Sequence, residues 1–222
     1  MGAMSAAGFM PRSVMKGEGA RPAATSLPAT MVRGLAAAPE DFAFAPGLVY
    51  LQTGSLGPTP RPVMERSIAA WKQLELNPVF YGYGEHEGAM EKVRAQAAGL
   101  LGCKTEELVL TRSTTDGMNW VAQGLTFKPG DRVLTTDQEH PGGRACWDHV
   151  AHRHGVVIDV VAIPPGEHDA GKIVERMSQR ITPRTRVLSF AHLLSSTGLR
   201  MPVAELSAVA RSRGCISVVD GA

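Results

Sequence analysis

Arg132-Val133-Leu134-Thr135-Thr136-Asp137-Gln138-Glu139-His140-Pro141 decides how this chain is read. Its first five residues form a short β-like run, and the next four are a polar cluster that ends at a proline. The same order recurs three times. Glu107–Thr111 precedes Ser113-Thr114-Thr115-Asp116, Arg186–Phe190 precedes the stretch from His192 to Gly198, and Cys215–Val219 precedes Asp220-Gly221-Ala222. Strands are expected near 107–111, 131–136, 156–163, 185–190 and 215–219, alternating with helices near 115–125, 143–154, 169–181 and 202–213. That alternation implies right-handed βαβ crossovers, hence an α/β fold with a mainly parallel sheet. In such a sheet all four polar clusters emerge at the carboxyl ends of strands, where open α/β sheets bind ligands.

Upstream of the alternation, Leu48–Gln52 reads as a short β-like run and Thr53-Gly54-Ser55-Leu56-Gly57-Pro58 as a loop. Pro62 to Leu76 reads as a helix with Val63, Ile68, Trp71 and Leu74 on its buried side, stopped at Asn77-Pro78. Glu87–Leu101 is a second helix, closed by Gly102. Val156–Ile163 is β-branched almost throughout, as expected of a strand covered on both faces. Residues 1–46 form a flexible tail and entry segment, and residues 47–222 form the folded part.

Hydrophobic residues make up 44% of the chain and charged residues 20%, the balance of an ordinary globular protein. The net charge of +2 and 5% aromatic content offer no basic, aromatic-interleaved surface, which argues against a nucleic-acid partner. No apolar stretch approaches the roughly 20 residues that span a bilayer, which argues against a membrane protein. Cys103, Cys146 and Cys215 are odd in number and form no C-x-x-C pair, so a reduced, cytoplasmic protein is expected rather than a disulfide framework. The start carries Arg12, Lys16, Arg21 and Arg33 against Glu18, and an organelle-targeting segment is the alternative. Cys146, His149, His152 and His154 share one expected helix, but their spacings do not converge on one point, so no metal site is expected.

The clusters carry chemistry as well as topology. Ser113-Thr114-Thr115-Asp116 has the residue types of a helix N-cap, and the free N–H groups of a helix start with two hydroxyls would also cradle a phosphate. His140 is either a surface turn residue or, in a ligand crevice, a ring to stack on a planar heteroaromatic or an acid–base group. Asp220 ends an apolar strand, where a carboxylate is costly without a partner; it is a loop cap or the partner of a protonated ring nitrogen.

Taken in order, five stretches resemble the class V aminotransferase family of fold type I pyridoxal-phosphate enzymes, in its isopenicillin N epimerase-like and cysteine desulfurase-like branch. They are Tyr50 to Pro62, Thr111 to Asn119, Asp137 to Pro141, Ser189 to Pro202, and Val218 to Ala222. The resemblance implies a three-layer α/β large domain, pyridoxal 5'-phosphate as cofactor, an amino acid as substrate and a homodimer in the intact form. It implies that Thr114 and Thr115 hold the cofactor phosphate, that His140 stacks on the ring, and that Asp220 pairs with the ring nitrogen. Ser195 or Ser196 would lie near the ring hydroxyl, where family members often carry Asn. Gln52 and Ser55, in the loop from Gln52 to Leu56, would border the substrate. Ser113 stands where a glycine is common. The family's Schiff-base lysine and C-terminal small domain fall beyond Asp220, outside these 222 residues. The expectation is an N-terminal portion of such an enzyme, inactive alone; the alternatives are a fragment that acts by associating with a partner and a nucleotide-binding α/β protein.

Overall fold

The computed structural model describes residues 39–222. Of the tail and entry segment expected over residues 1–46, residues 1–38 lie outside the described ones. By internal contacts the described chain divides in two: residues 39–48 with 59–65, and residues 49–58 with 66–222. In the first unit Phe42 bridges Pro60 and stacks on Phe44.

Four strands make up the sheet: β1 (Arg132–Thr136), β2 (Val157–Val161), β3 (Thr185–Ala191) and β4 (Ile216–Asp220). All pairs are parallel, in the order β2-β1-β3-β4. Side chains alternate across the sheet, so neighbouring residues of one strand enter different cores. Val133, Val187 and Val218 face α3 (Thr114–Gly124) and α4 (Pro141–His154), with Met118, Ala122, Cys146, Trp147 and Val150. Leu134, Leu188 and Phe190 face α5 (Ala170–Ser178) and α6 (Val203–Ser212), with Ile173, Met177, Leu206 and Ala210. Helices on both faces of a parallel sheet are the three layers expected. Between β1 and β2 the chain crosses over the α4 face. It then reverses direction across the sheet and crosses over the α5 face to β3, as a constant crossover hand demands.

The helix borders have local causes. Ser113 caps α3 by accepting from Asp116 N–H at 3.2 Å, and Asp169 caps α5 by accepting from Lys172 N–H at 3.2 Å. α4 begins at Pro141, earlier than its periodicity suggests, because proline suits a first helical turn. It ends at Gly155, whose φ of +66° is left-handed.

Several expectations are corrected. The 107–111 run is not a strand: Thr105–Glu107 is a 3₁₀ turn, and the extended chain from Leu108 finds no neighbouring strand among the described residues. Leu48–Gln52 forms no strand either; Tyr50 instead donates its hydroxyl to Leu56 O at 2.6 Å. The Val156–Ile163 run gives an edge strand, not one covered on both faces, with Val157 and Val160 about two-fifths exposed. Its β-branched residues reflect strand preference rather than burial. α1 (Arg61–Leu76) and α2 (His86–Leu101) form as expected, joined by a turn at Pro78–Phe80 and a wide π-helical turn at Tyr81–Glu85. However, Val63, Ile68 and Trp71 are exposed and Leu74 is only half-buried. Periodicity marks a stripe on a helix but not what the stripe meets. No described helix is long and apolar enough to cross a membrane.

The fully buried Trp147 donates its indole N–H to Ser189 Oγ at 2.9 Å, tying α4 to the middle of β3. Ser189→Ala leaves that N–H buried without an acceptor and should lower the unfolding free energy by about 1–3 kcal/mol. Urea unfolding with an unchanged m-value checks this, and an unchanged midpoint would show that the bond contributes nothing.

Candidate active site

β1 and β3 are neighbours, yet the chain leaves β1 for the α4 face and β3 for the α6 face. Their carboxyl ends are the point where the sheet opens between diverging connections. A cavity of about 320 Å³ lies there, lined by Gly54, Ser55, Ser113, Thr114, Thr115, His140, Gly143, Ala191, Leu193, Ser195, Asp220 and Ala222. Of the residues expected in the site, Thr114, Thr115, His140, Ser55, Ser195 and Asp220 are thereby brought together. Ser196 and Gln52 do not line it. Ser196 turns its hydroxyl to Gln138 Oε1 at 3.2 Å, and Gln52 donates to Ser55 Oγ at 3.0 Å, supporting a lining residue.

Two helix starts face the cavity. Ser113 caps α3, leaving the N–H groups of Thr114 and Thr115 without intrahelical acceptors, at the positive end of the helix dipole. α4 is capped by His140, whose Nδ1 accepts from Gly142 N–H at 3.1 Å. Nδ1 is thereby used as an acceptor, so in a neutral ring the proton sits on Nε2.

Gly142 and Gly143 are required by space rather than by conformation. A Cβ at Gly143 would stand 2.5 Å from Asp220 Oδ2, and one at Gly142 would stand 2.7 Å from Thr115 Oγ1 and 3.1 Å from His140 Nδ1. Each would push a lining side chain off its place. The two glycines let α4 start against the carboxylate and the hydroxyl.

Asp220 is 6% exposed, and its Oδ1 accepts from Ala222 N–H at 3.1 Å. A second carboxyl, Glu139, accepts from the Thr136 hydroxyl and interacts with the backbone of Ala191 and with the charge of Asp220. Burial pushes the Glu139 carboxyl above the usual glutamate value, the Thr136 hydroxyl opposes the rise, and the like charge of Asp220 adds to it. Among the described residues neither carboxylate forms an ion pair. The cavity thus holds the buried Asp220 carboxylate and two positive helix ends, with Glu139 outside its lining. Cys146, on the buried side of α4, is unsuited to nucleophilic work, since burial pushes its thiol up to about 11.

Sequence reasoning left three contributors without a role: Glu139, Gln138 and the glycine pair. Glu139 and Gln138 matter through partners far along the chain, which local pattern does not reveal. The Gly142-Gly143 pair at a helix start was the one available signal.

A carboxyl raised in the fold holds its proton more tightly there than in the unfolded chain. Glu139 therefore supports the fold fully below the ordinary glutamate value, and that support is lost as pH rises through its raised value. Glu139→Gln should flatten this part of the pH–stability curve. Asp220→Asn should bring the Glu139 titration part of the way down, as read by side-chain carboxyl NMR; an ordinary Glu139 titration in the unmodified chain would refute the coupling.

Residues 49–222 match the family model described as Aminotransferase class-V. Isopenicillin N epimerase of Streptomyces clavuligerus is 36% identical over 177 residues, covering 80% of this chain and 44% of that protein. A cysteine desulfurase of Pectobacterium carotovorum subsp. carotovorum is 32% identical over 183 residues, covering 79% of this chain and 44% of that protein. Among solved structures, a mutant of C-DES with glycine covalently linked to the PLP cofactor aligns with a TM-score of 0.74 at 27% identity, covering 82% of this chain and 49% of that one. The chain thus spans less than half the length of these relatives. With its parallel sheet, its switch-point cavity and a match over most of its length, the chain belongs to the class V aminotransferase family.

Proposed function

We propose that this chain forms a pyridoxal-phosphate half-site of an enzyme acting on an amino acid. One observation carries the reading: a single cavity is lined by two helix starts, an imidazole and a buried carboxylate without an ion partner. The hydroxyls of Thr114 and Thr115, with the N–H groups at the start of α3, suit a phosphate. His140, its Nδ1 engaged by its own helix, offers a ring face to a planar heteroaromatic. Asp220 suits a protonated ring nitrogen, because a buried carboxylate favours the charged form of a cation beside it. Ser195 is the hydroxyl for a polar ring substituent, and Ser55, braced by Gln52, borders the substrate. Gly142 and Gly143 lack the Cβ that would displace Thr115, His140 and Asp220, so the groups assigned to the phosphate, the ring face and the ring nitrogen keep their places.

When bound, pyridoxal phosphate supplies an electron-withdrawing ring that stabilises negative charge at the α-carbon of an amino acid. The residues of this chain anchor the phosphate, orient the ring and hold the proton at its nitrogen. Epimerisation, C–S bond cleavage (lyase or desulfurase type) and amino transfer are the reaction types that fit, in a homodimeric enzyme with a small-molecule substrate. On this reading the chain binds the cofactor, and no lysine lines the cavity among the described residues. A second reading, a fragment acting by association with a partner subunit, is favoured by strongly exposed apolar side chains such as Leu51, Tyr83 and Leu100.

Absorbance titration of the purified chain with pyridoxal phosphate tests the half-site. Saturable binding with a displaced band is expected, weakened about 10- to 100-fold in Asp220→Ala, the range for a charged hydrogen bond. A folded chain without saturable binding would overturn the half-site and leave the association reading.

A further inference from the structure

Gln138 lies between Asp137 and Glu139 at the end of β1 and joins two segments distant in sequence. Its Nε2 donates to Ile163 O, beyond β2, and its Oε1 accepts from Ser196 Oγ at 3.2 Å and Thr197 Oγ1 at 3.0 Å, in the loop after β3. The orientation of the amide follows from its partners: a carbonyl only accepts, so Nε2 must face Ile163 and the oxygen must face the two hydroxyls. Both hydroxyls therefore act as donors toward Gln138. The anchor itself is fixed, because Ile163 N–H also donates to Asp137 Oδ1 at 2.9 Å, so the residue is gripped through both its backbone groups.

The loop has a turn of its own. Gly198 N–H bonds Leu194 O at 2.7 Å, Leu194 N–H bonds Leu199 O at 3.0 Å, and Gly198 is left-handed at φ +70°. These bonds set the shape of the turn but not its placement over the strand ends. Its base is placed by His192 N–H donating to Asp220 O at 2.7 Å, by Met201 N–H donating to His192 O at 2.9 Å and by the burial of Leu194 and Met201. The links from Ser196 and Thr197 to Gln138 add the tie at its tip. Ser195 lines the main cavity, whereas Thr197 and Gln138 line a separate recess with Pro164, Gly166 and His168.

We propose that Gln138 is a positioning residue: by holding Ser196 and Thr197 it turns Ser195, and not its neighbours, toward the cofactor cavity. The assignment rests on the half-site reading for the role of Ser195, but the tether itself is independent of it. The amide acts as a latch at the switch point, joining the fixed end of β2 to the loop that follows β3.

The test compares the chain with Gln138→Met, Ser195→Ala, the double variant and Gln138→Glu, by hydrogen exchange at the Leu194 and Gly198 amides and by absorbance titration with pyridoxal phosphate. Gln138→Met keeps the length of the side chain and removes its hydrogen bonds. Exchange at both loop amides should rise about tenfold or more while the β3 amides hold. Cofactor affinity should fall about 3- to 10-fold in each single variant, the range for one hydrogen bond, and no further in the double, since a released loop has already lost the Ser195 contact. Gln138→Glu keeps an acceptor for both hydroxyls and should recover part of the loop protection. Unchanged loop exchange in Gln138→Met, or additive losses in the double variant, would overturn the proposal. If the unmodified chain binds no cofactor, the half-site reading fails, and exchange alone then decides the tether.

Discussion

Two adjacent parallel strands whose chains depart to opposite faces cannot both have their ends covered by the same connection. β1 feeds α4 on one side of the sheet, and β3 feeds α6 on the other. The gap between the departing chains is forced by crossover hand and strand order, not by any particular side chain. The placement of the strand-end residues follows from this: His140 and Gly143 descend from β1, Ala191 and Ser195 from β3, and Asp220 sits at the end of β4 beside it.

An open crevice would be a poor place for a buried carboxylate if nothing opposed it. Asp220 lines it, and its charge reaches Glu139, on which burial and this repulsion both act. The opposing charge comes from backbone dipoles at the starts of α3 and α4, which converge on the same space. Such fixed dipoles need no mobile lysine or arginine and keep the centre clear for a ligand. The arrangement depends on absent atoms as well, since Gly142 and Gly143 admit the helix start only by lacking a Cβ.

Much of the large unit was legible in the sequence because apolar runs and amphipathic segments alternate there, and each strand end is marked by a polar cluster. Most residues gathered at the cavity were legible for the same reason: the parallel topology carries the clusters after β1, β3 and β4 to one edge, whereas Ser113 to Asp116 follows no strand and joins them as the start of α3. What failed was whatever depended on a neighbour. Leu108 to Thr111 has the composition of a strand, but a strand needs another to pair with. Trp71 lies on an apolar helix stripe and still faces outward. Ser195 and Ser196 are adjacent hydroxyls that no local pattern separates; a tether to Gln138 does. Glu139 carried no signal because Ala191 and Asp220, which act on it, lie on other strands.

The four residues after β1 each reach a different group. Asp137 reaches the Ile163 N–H, Gln138 reaches Ile163 O and the loop after β3, Glu139 reaches Thr136 and the end of β3, and His140 caps its own helix at the cavity. Side chains directed in turn to unlike anchors make the segment sensitive to register in a way that ordinary loops are not. A substitution removes one anchor and spares the rest. An inserted or deleted residue shifts all four at once, carrying the acid to the loop's place and the imidazole off the helix cap. Loop-length variation in related chains should therefore accumulate elsewhere, after β2 or in the turn near Gly198, and leave the spacing between Thr136 and Pro141 constant.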